Sequence, residues 1–229
     1  AGAVDPPGTI LNIAPNLSST DFSIVRLNEN GSFDTTFDSD GKVSVEIGNT
    51  GFGTDDLATS IALQLDGKIV VGGQSDFTFT GRDWAVVRLN PDGALDTSFG
   101  IGGKVRTTFG GNNSNESINA IAVEASGRIT AVGHGVEGGP RGFAVARYNG
   151  DGSPDLAFSG DGRVVTPTSG NGNEQAWGVA VQPDGKIIAA GYSGLEIAVL
   201  RYNNDGILDT TFNGDGKIFM TIYQGGGQS

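Results

Sequence analysis

The segment Arg26–Phe37 reads RLNENGSFDTTF, and it returns as RLNPDGALDTSF, RYNGDGSPDLAF and RYNNDGILDTTF, so one supersecondary unit is written four times. Its arginine falls at Arg26, Arg88, Arg147 and Arg201, spacings of 62, 59 and 54 residues. This is the period of propeller blades or large solenoid coils rather than of helical repeats. Continuous repetition over 229 residues predicts one domain with a shared core, its repeats of about 58 residues falling near 1–50, 51–111, 112–169 and 170–229.

Within the second copy, turn signals divide four β-prone runs: Leu57–Leu65, Lys68–Gly73, Arg82–Asn90 and Lys104–Phe109. Asp66-Gly67 reads as a two-residue hairpin signal, and Ser126-Gly127 and Asp184-Gly185 take its place later in the chain. A longer loop with two glycine turn points, Gly93 and Gly102-Gly103 in this copy, joins the third and fourth runs. Each unit therefore reads as a four-stranded antiparallel meander.

Down the third strand, in register, stand Phe22, Trp84, Phe143 and Ile197, then Ser23, Ala85, Ala144 and Ala198, then Ile24, Val86, Val145 and Val199. A sheet with one wet face would alternate apolar and polar. Two apolar faces predict that each sheet is sandwiched between neighbours, with large residues opposite small ones. Ala62, Ala122 and Ala180 on the first strand suit the crowded centre of a ring. The expected fold is an all-β propeller of four blades with the first strand of each innermost. Blade one is expected to be incomplete, because only Ala1–Val4 could fill its first-strand place.

The pattern PDGKI, then RYN-x-DG-x-LDTTF, then GDGK resembles the delta-60 repeat family of β-propellers, found in tandem in exported bacterial proteins. The likeness covers nearly the whole chain and is weakest in copy one, where Pro7-Gly8-Thr9 replaces the Asp-Gly-Lys turn. It implies a propeller and an exported protein, in a family with no assigned enzymatic activity.

Composition narrows the partners. Against 26 acidic residues stand 14 basic ones, a net charge of −12 with no basic stripe, which argues against nucleic acid and anionic membranes. No apolar run approaches the roughly 20 residues of a spanning helix, so no membrane insertion is expected. An initial Ala in place of Met gives the expectation that a leader or another segment was removed ahead of it. The absence of cysteine removes disulfides and thiolate metal sites. Abundant Gly, Asn, Asp, Ser and Thr with few Lys fits an extracellular or cell-surface location.

Candidate sites follow from the repeat. The arginine shares a face with Phe22, Ile24 and their equivalents, so its charge requires a partner. Eight residues on stands an acid each time, Asp34, Asp96, Asp155 and Asp209, and four structural pairs are expected: Arg26 with Asp34, Arg88 with Asp96, Arg147 with Asp155, Arg201 with Asp209. The loop N-x-[DN]-G-x-x-D resembles a calcium turn, so Asn149, Asp151 and Asp155 form a calcium candidate; the competing reading is a set of Asx turns. His134, the only histidine, stands in Val132-Gly133-His134-Gly135 at the end of a second strand and, as one His in a Gly-rich loop, reads as surface decoration. Phe37, Phe99, Phe158 and Phe212 read as core. Phe77 and Phe79, in the longer loop Gln74–Gly81, are candidates for an exposed interaction surface, the alternative being a strand extension that packs both rings.

No spacing singles out a catalytic set of residues. The functional expectation is a non-catalytic extracellular interaction or assembly module without cofactor, partnering another protein or itself through blade one and the terminal segments. The alternatives are a carbohydrate- or calcium-binding propeller and a carboxylate-based enzyme on the loop face.

Overall fold

The computed structural model describes residues 10–14, 21–48, 55–77, 81–110, 114–168 and 173–221, and all of its regular structure is β. The first sheet holds β1 (Ile10–Ala14), β2 (Phe22–Leu27) and β3 (Lys42–Val45) in that order. The second holds β4 (Leu57–Leu63), β5 (Ile69–Phe77), β6 (Gly81–Leu89) and β7 (Lys104–Thr107), with the short β8 (Ser114–Asn115) joining β6 in parallel. The third is β9 (Ser117–Val123), β10 (Ile129–Gly135), β11 (Gly142–Tyr148) and β12 (Arg163–Thr166). The fourth is β13 (Glu174–Val181), β14 (Ile187–Ser193), β15 (Glu196–Tyr202) and β16 (Lys217–Thr221). Each is an antiparallel meander, and the four stack as the blades of a propeller-like body.

Blade one has three strands among the described residues. Its β1 pairs Ile10 with Leu27 as β5 pairs Ile69 with Leu89, so it occupies the second-strand place, and the segment expected in the first-strand place, Ala1–Val4, lies outside the described residues. The first strands of the other blades pack in series, β4 against β9 and β9 against β13, which puts them on the inner side as expected.

The Asp-Gly turns differ from the expectation. Gln64 donates its N–H to the Lys68 carbonyl at 2.8 Å and accepts from the Gly67 N–H at 2.9 Å, closing a three-residue loop rather than a two-residue one. Only Gly67, at φ 82°, is left-handed there. A type I turn followed by a left-handed residue gives this bulged hairpin, whereas a two-residue turn would need left-handed Asp66 as well. The same geometry recurs at Gly127 and Gly185, and at Gly93 of the Asn90 loop.

Each complete innermost strand carries a bulge. Ala58 and Ser60 pair with consecutive residues of β5, so Thr59 is the extra residue, as are Asn119 and Trp177 in the next two blades. Opposite the bulge the second strand needs glycine: a Cβ on Gly133 would lie 1.9 Å from the Ser117 carbonyl oxygen.

Three hydrophobic clusters hold the stack, one per junction. Phe22, Ile24, Phe37, Val43 and Val45 of blade one meet Ile69, Val71, Ala85, Val87 and Leu89 of blade two. Trp84, Val86, Phe99 and Phe109 meet Ile129, Ala131, Ala144, Ala146 and Tyr148. Phe143, Val145 and Phe158 meet Ile187, Ala189, Ala198, Leu200 and Tyr202. At each junction a large third-strand residue of the forward face (Phe22, Trp84 or Phe143) thus meets a rear face whose third strand opens on alanine (Ala85, Ala144 or Ala198), and the blades pack head to tail. The expectation that every sheet is sandwiched holds for blades two and three and is corrected for the end blades: Ser23, Val25 and Leu27 at the rear of blade one, and Ile197 and Val199 at the front of blade four, are only partly covered.

Ala144, fully buried against Trp84, and the partly exposed Ser23 stand at the same rear-face position of their blades. Ala144→Leu is expected to lower stability by about 1–3 kcal/mol through overpacking, while Ser23→Leu leaves it nearly unchanged. Urea unfolding of both variants reads the contrast, and equal losses would refute the open rear face of blade one.

Candidate functional site

The repeated arginine is the node at which the loop between third and fourth strands is tied to the sheet. Arg88 donates its backbone N–H to the Gly103 carbonyl and accepts the Asp96 N–H on its own carbonyl, both at 2.9 Å. Phe99 then donates to the Asp96 carbonyl at 3.0 Å, and Gly103 to the Phe99 carbonyl at 2.9 Å. The other three blades repeat this ladder at Arg26, Arg147 and Arg201.

The side chain closes the same loop from above. The structure places Arg26, Arg88, Arg147 and Arg201 against Asp34, Asp96, Asp155 and Asp209 with Nε–Oδ2 separations of 2.8, 2.8, 2.8 and 2.7 Å. Each guanidinium lies over the ring of the following Phe, at 4.8 Å from Phe37, 4.5 Å from Phe99, 4.9 Å from Phe158 and 4.5 Å from Phe212. The other carboxylate oxygen accepts the N–H two residues on, as Asp96 does from Ser98 at 3.1 Å, so the acid also caps its turn. A second cation from the first hairpin reaches the same carboxylate, Lys68 to Asp96 at 3.1 Å and Lys186 to Asp209 at 2.9 Å.

These contacts set the charge states. Burial alone would raise the Asp96 carboxyl, but hydrogen bonds from Ser98 and Lys68 and the Arg88 charge hold it well below the usual carboxylate range. Hydrogen bonds from Thr211 and Lys186, with Arg201 beside them, do the same for Asp209.

The arginine also reaches forward into the next blade. Arg26 Nη1 donates to the Pro91 carbonyl, Arg88 Nη1 to the Gly150 carbonyl and Arg147 Nη1 to Asn204 Oδ1. The acceptor each time is the residue after the loop asparagine. A further link crosses all three junctions, and another crosses the last two. The N–H after the repeated Phe, on Asp38, Gly100 and Ser159, donates to the carbonyls of Asp92, Asp151 and Asp205 at 2.8, 2.7 and 2.8 Å. The bulged residue of the inner strand donates across as well, Thr59 Oγ1 to the Ile118 carbonyl at 2.5 Å and Asn119 Nδ2 to the Ala176 carbonyl at 2.8 Å.

Sequence reasoning missed a further set. Asp56, Glu116 and Glu174 are buried and open the innermost strands, where they accept N–H groups from the end of the preceding blade: Ile47 at 2.7 Å, Phe109 at 2.9 Å and Thr168 at 2.6 Å. Burial raises the Asp56 carboxyl. The signal was available, since each acid stands six residues before Ala62, Ala122 or Ala180.

The calcium candidate is arranged differently from a cation cradle. Asn149 turns its amide donor inward, to Ser153 Oγ at 3.0 Å and the Pro154 carbonyl at 3.3 Å. Asp151 accepts from the Ser153 N–H at 2.9 Å, and Asp155 is held by Arg147 at 2.8 Å and Arg128 at 3.8 Å. Among the described residues no group of three or more His, Cys, Asp or Glu converges as metal ligands.

Three expectations are corrected. Phe77 is not in an exposed loop but at the end of β5, paired with Gly81; it is half-buried under the Arg106 guanidinium at 3.7 Å, and an Arg82–Asp76 ion pair at 3.0 Å holds the extension. Phe79 lies outside the described residues. His134 is no surface residue: it is buried in β10 opposite Phe143, and its carbonyl accepts the Trp84 indole N–H at 3.0 Å. Phe212, unlike the fully buried Phe37, Phe99 and Phe158, is partly exposed, because no blade follows it among the described residues.

Arg147 is 1% exposed and Arg201 20%. Arg147→Ala is expected to cost about 3–5 kcal/mol by leaving Asp155 short of its partner, and Arg201→Ala distinctly less. Unchanged melting of Arg147→Ala would refute the structural role. His134 gives a pH signature: burial, with Arg141 nearby, pushes its pKa down to about 3, whereas the unfolded imidazole titrates near 6.5. Between those values the unfolded state binds the extra proton, so stability falls as pH falls, by up to about 1.4 kcal/mol per pH unit. Chemical denaturation of wild type and His134→Leu should differ in slope below pH 6.5, and parallel curves would refute it.

A comparison with curated proteins finds no match. A family model described as a beta-propeller domain of unknown function (DUF5122) matches residues 15–37, 64–99, 124–158 and 182–212, more than half of the chain. In copies two to four the matched segments run from the first hairpin to the repeated phenylalanine, and so take in the arginine, its aspartate and the ring beneath it. The residues that tie each blade together are thus within the repeat by which the family is defined, and the chain belongs to this DUF5122 beta-propeller family of delta-60-type repeats.

Proposed function

We propose that the chain is a non-catalytic interaction or assembly module of an extracellular or cell-surface structure in a bacterium. One observation carries this reading: the recurring charged residues are committed to the same intra-blade and inter-blade bonds in copy after copy, while apolar side chains stand open at the front of blade four. A repeated network of this kind builds a rigid frame, and a frame with an open apolar face is suited to being joined. Acidic composition and the family likeness support an exported role, and the lack of a basic surface stripe supports a protein partner over nucleic acid.

Chemical crosslinking of the native protein in its source, combined with calorimetric titration of the purified chain, tests the proposal. Crosslinked species containing a second copy or one defined surface protein are expected, with no saturable heat from calcium or a glycan panel. A saturable calcium or glycan isotherm would replace this function with ligand binding. A carboxylate-dependent turnover of glycans would make the chain an enzyme.

A further inference from the structure

At each of three junctions the same parts meet. The forward face supplies a large third-strand residue, a β-branched residue two positions on, the buried Phe and the arginine Nη1. The rear face of the next blade supplies a third strand opening on alanine and the N-x-[DN]-G loop, which takes the arginine and, in blades three and four, lies against the Phe ring. The glycine of that loop fits against the preceding blade: a Cβ on Gly152 would lie 2.9 Å from Gly100 N and from Phe99, and one on Gly206 would lie 3.0 Å from Ser159 N.

Blade four presents the forward set with nothing against it among the described residues. Ile197 is 37% and Met220 46% exposed, and the two pair across β15 and β16; Val199 and Ile218 lie beside them, and Phe212 is partly open. Trp177 occupies the bulge position that carries the junction donors Thr59 and Asn119, and it is 56% exposed. Asn213 holds φ 53°, as its counterparts Gly100 and Ser159 hold 53° and 55°, so its N–H is poised like theirs.

Blade one presents the rear set, also open. Ser23, Val25 and Leu27 are partly exposed where their counterparts in blades two to four are buried. A Cβ on Gly31 would meet nothing within 4 Å. At the loop position that accepts the arginine, filled by Pro91, Gly150 and Asn204 elsewhere, stands the exposed Glu29. Asn204 shows that a side-chain oxygen at this position can take the guanidinium, and a carboxylate takes it more strongly.

We infer that the front of blade four receives the rear of blade one from a second copy of this chain, head to tail, in the geometry of the three internal junctions, with Arg201 meeting Glu29. The two faces are open at once in a single chain, so they do not satisfy each other there. Their contact is heterologous, and it propagates into a ring or a filament rather than an isologous dimer. The inference rests on the assembly reading above and names the surface it uses.

Sedimentation velocity from submicromolar to hundreds of micromolar tests it, with quenching of tryptophan fluorescence by acrylamide as a second readout. Trp84 is fully buried, so quenching reports Trp177. Wild type is expected to associate with concentration and to lose accessible Trp177 as it does. Ile197→Lys at the front and Val25→Lys at the rear are each expected to be monomeric alone, and mixed they should form a 1:1 complex and nothing larger, since one intact junction remains. Glu29→Arg, on an exposed residue that leaves the fold intact, should weaken association by roughly tenfold or more, and Glu29→Asp should not. A wild type that stays monomeric throughout overturns the inference. Association that survives both lysine variants overturns the assigned faces while leaving an assembly role standing on another surface. Homodimers of Ile197→Lys that cannot recruit Val25→Lys also overturn it.

Discussion

A guanidinium on the forward face of each sheet, otherwise an untenable charge beside Phe and Ile side chains, is the interaction on which the rest depends. In blade two the Arg88 guanidinium bonds an aspartate in its own loop, a hydroxyl group of that loop and a carbonyl of the next blade, with its plane laid on a phenylalanine ring. A lysine could not do this, for its three donors lack the planar fork. The backbone of the same residue fixes the long loop by donating to one glycine carbonyl and accepting from the aspartate N–H. One residue therefore decides loop conformation, turn capping and the spacing to the following blade, which explains its return at every repeat.

The junctions are directional. At the three junctions Phe22, Trp84 and Phe143 point forward where Ala85, Ala144 and Ala198 face back, the arginine and the N–H after the repeated Phe find acceptors one blade ahead, and an acid at the inner strands of blades two to four receives N–H groups from behind. Tyr148 and Tyr202 add to this at the rear, bonding Thr107 and Thr166 of the preceding blade at 2.7 and 2.9 Å, and burial raises both phenols, Tyr148 to about 12. Such a stack has a distinct front and back. The exposure of Ile197, Met220 and Trp177 at one end, and of Val25 and Leu27 at the other, is what remains when a polar axis stops.

Blade number, meander topology and the four Arg–Asp pairs were legible because repetition turns one chain into four aligned readings. Ala85, Ala144 and Ala198 opposite large neighbours could be matched only through that alignment. What escaped depended on backbone detail. Asp66-Gly67 names a tight turn, but its three-residue length is set by the right-handed conformation of Leu65 and Asp66, which side-chain identity does not declare. Phe77 was misplaced because the second strand of blade two runs further than the hydrophobic pattern shows, the Asp76–Arg82 ion pair holding the extension, whereas His134 was misjudged because the neighbouring blade meets the end of its strand, the Trp84 indole bonding its carbonyl across the junction. The inner acids were missed because an Asp or Glu at a strand entrance looks like solvated surface until its distance from the repeated alanine is counted.

The polar axis also sets how the fold opens. Among the described residues the strand contacts between blades join consecutive blades, so the stack behaves as a one-dimensional chain of coupled units. Blades two and three are clamped on both sides, whereas blades one and four are clamped on one. Amide protection should accordingly be deepest at β5, β6, β10 and β11 and shallowest at β2, β3, β15 and β16, and the chain should unravel from its ends inward. Covering the Trp177 face would then make blade four an interior blade and carry its slowest exchange to that end of the molecule.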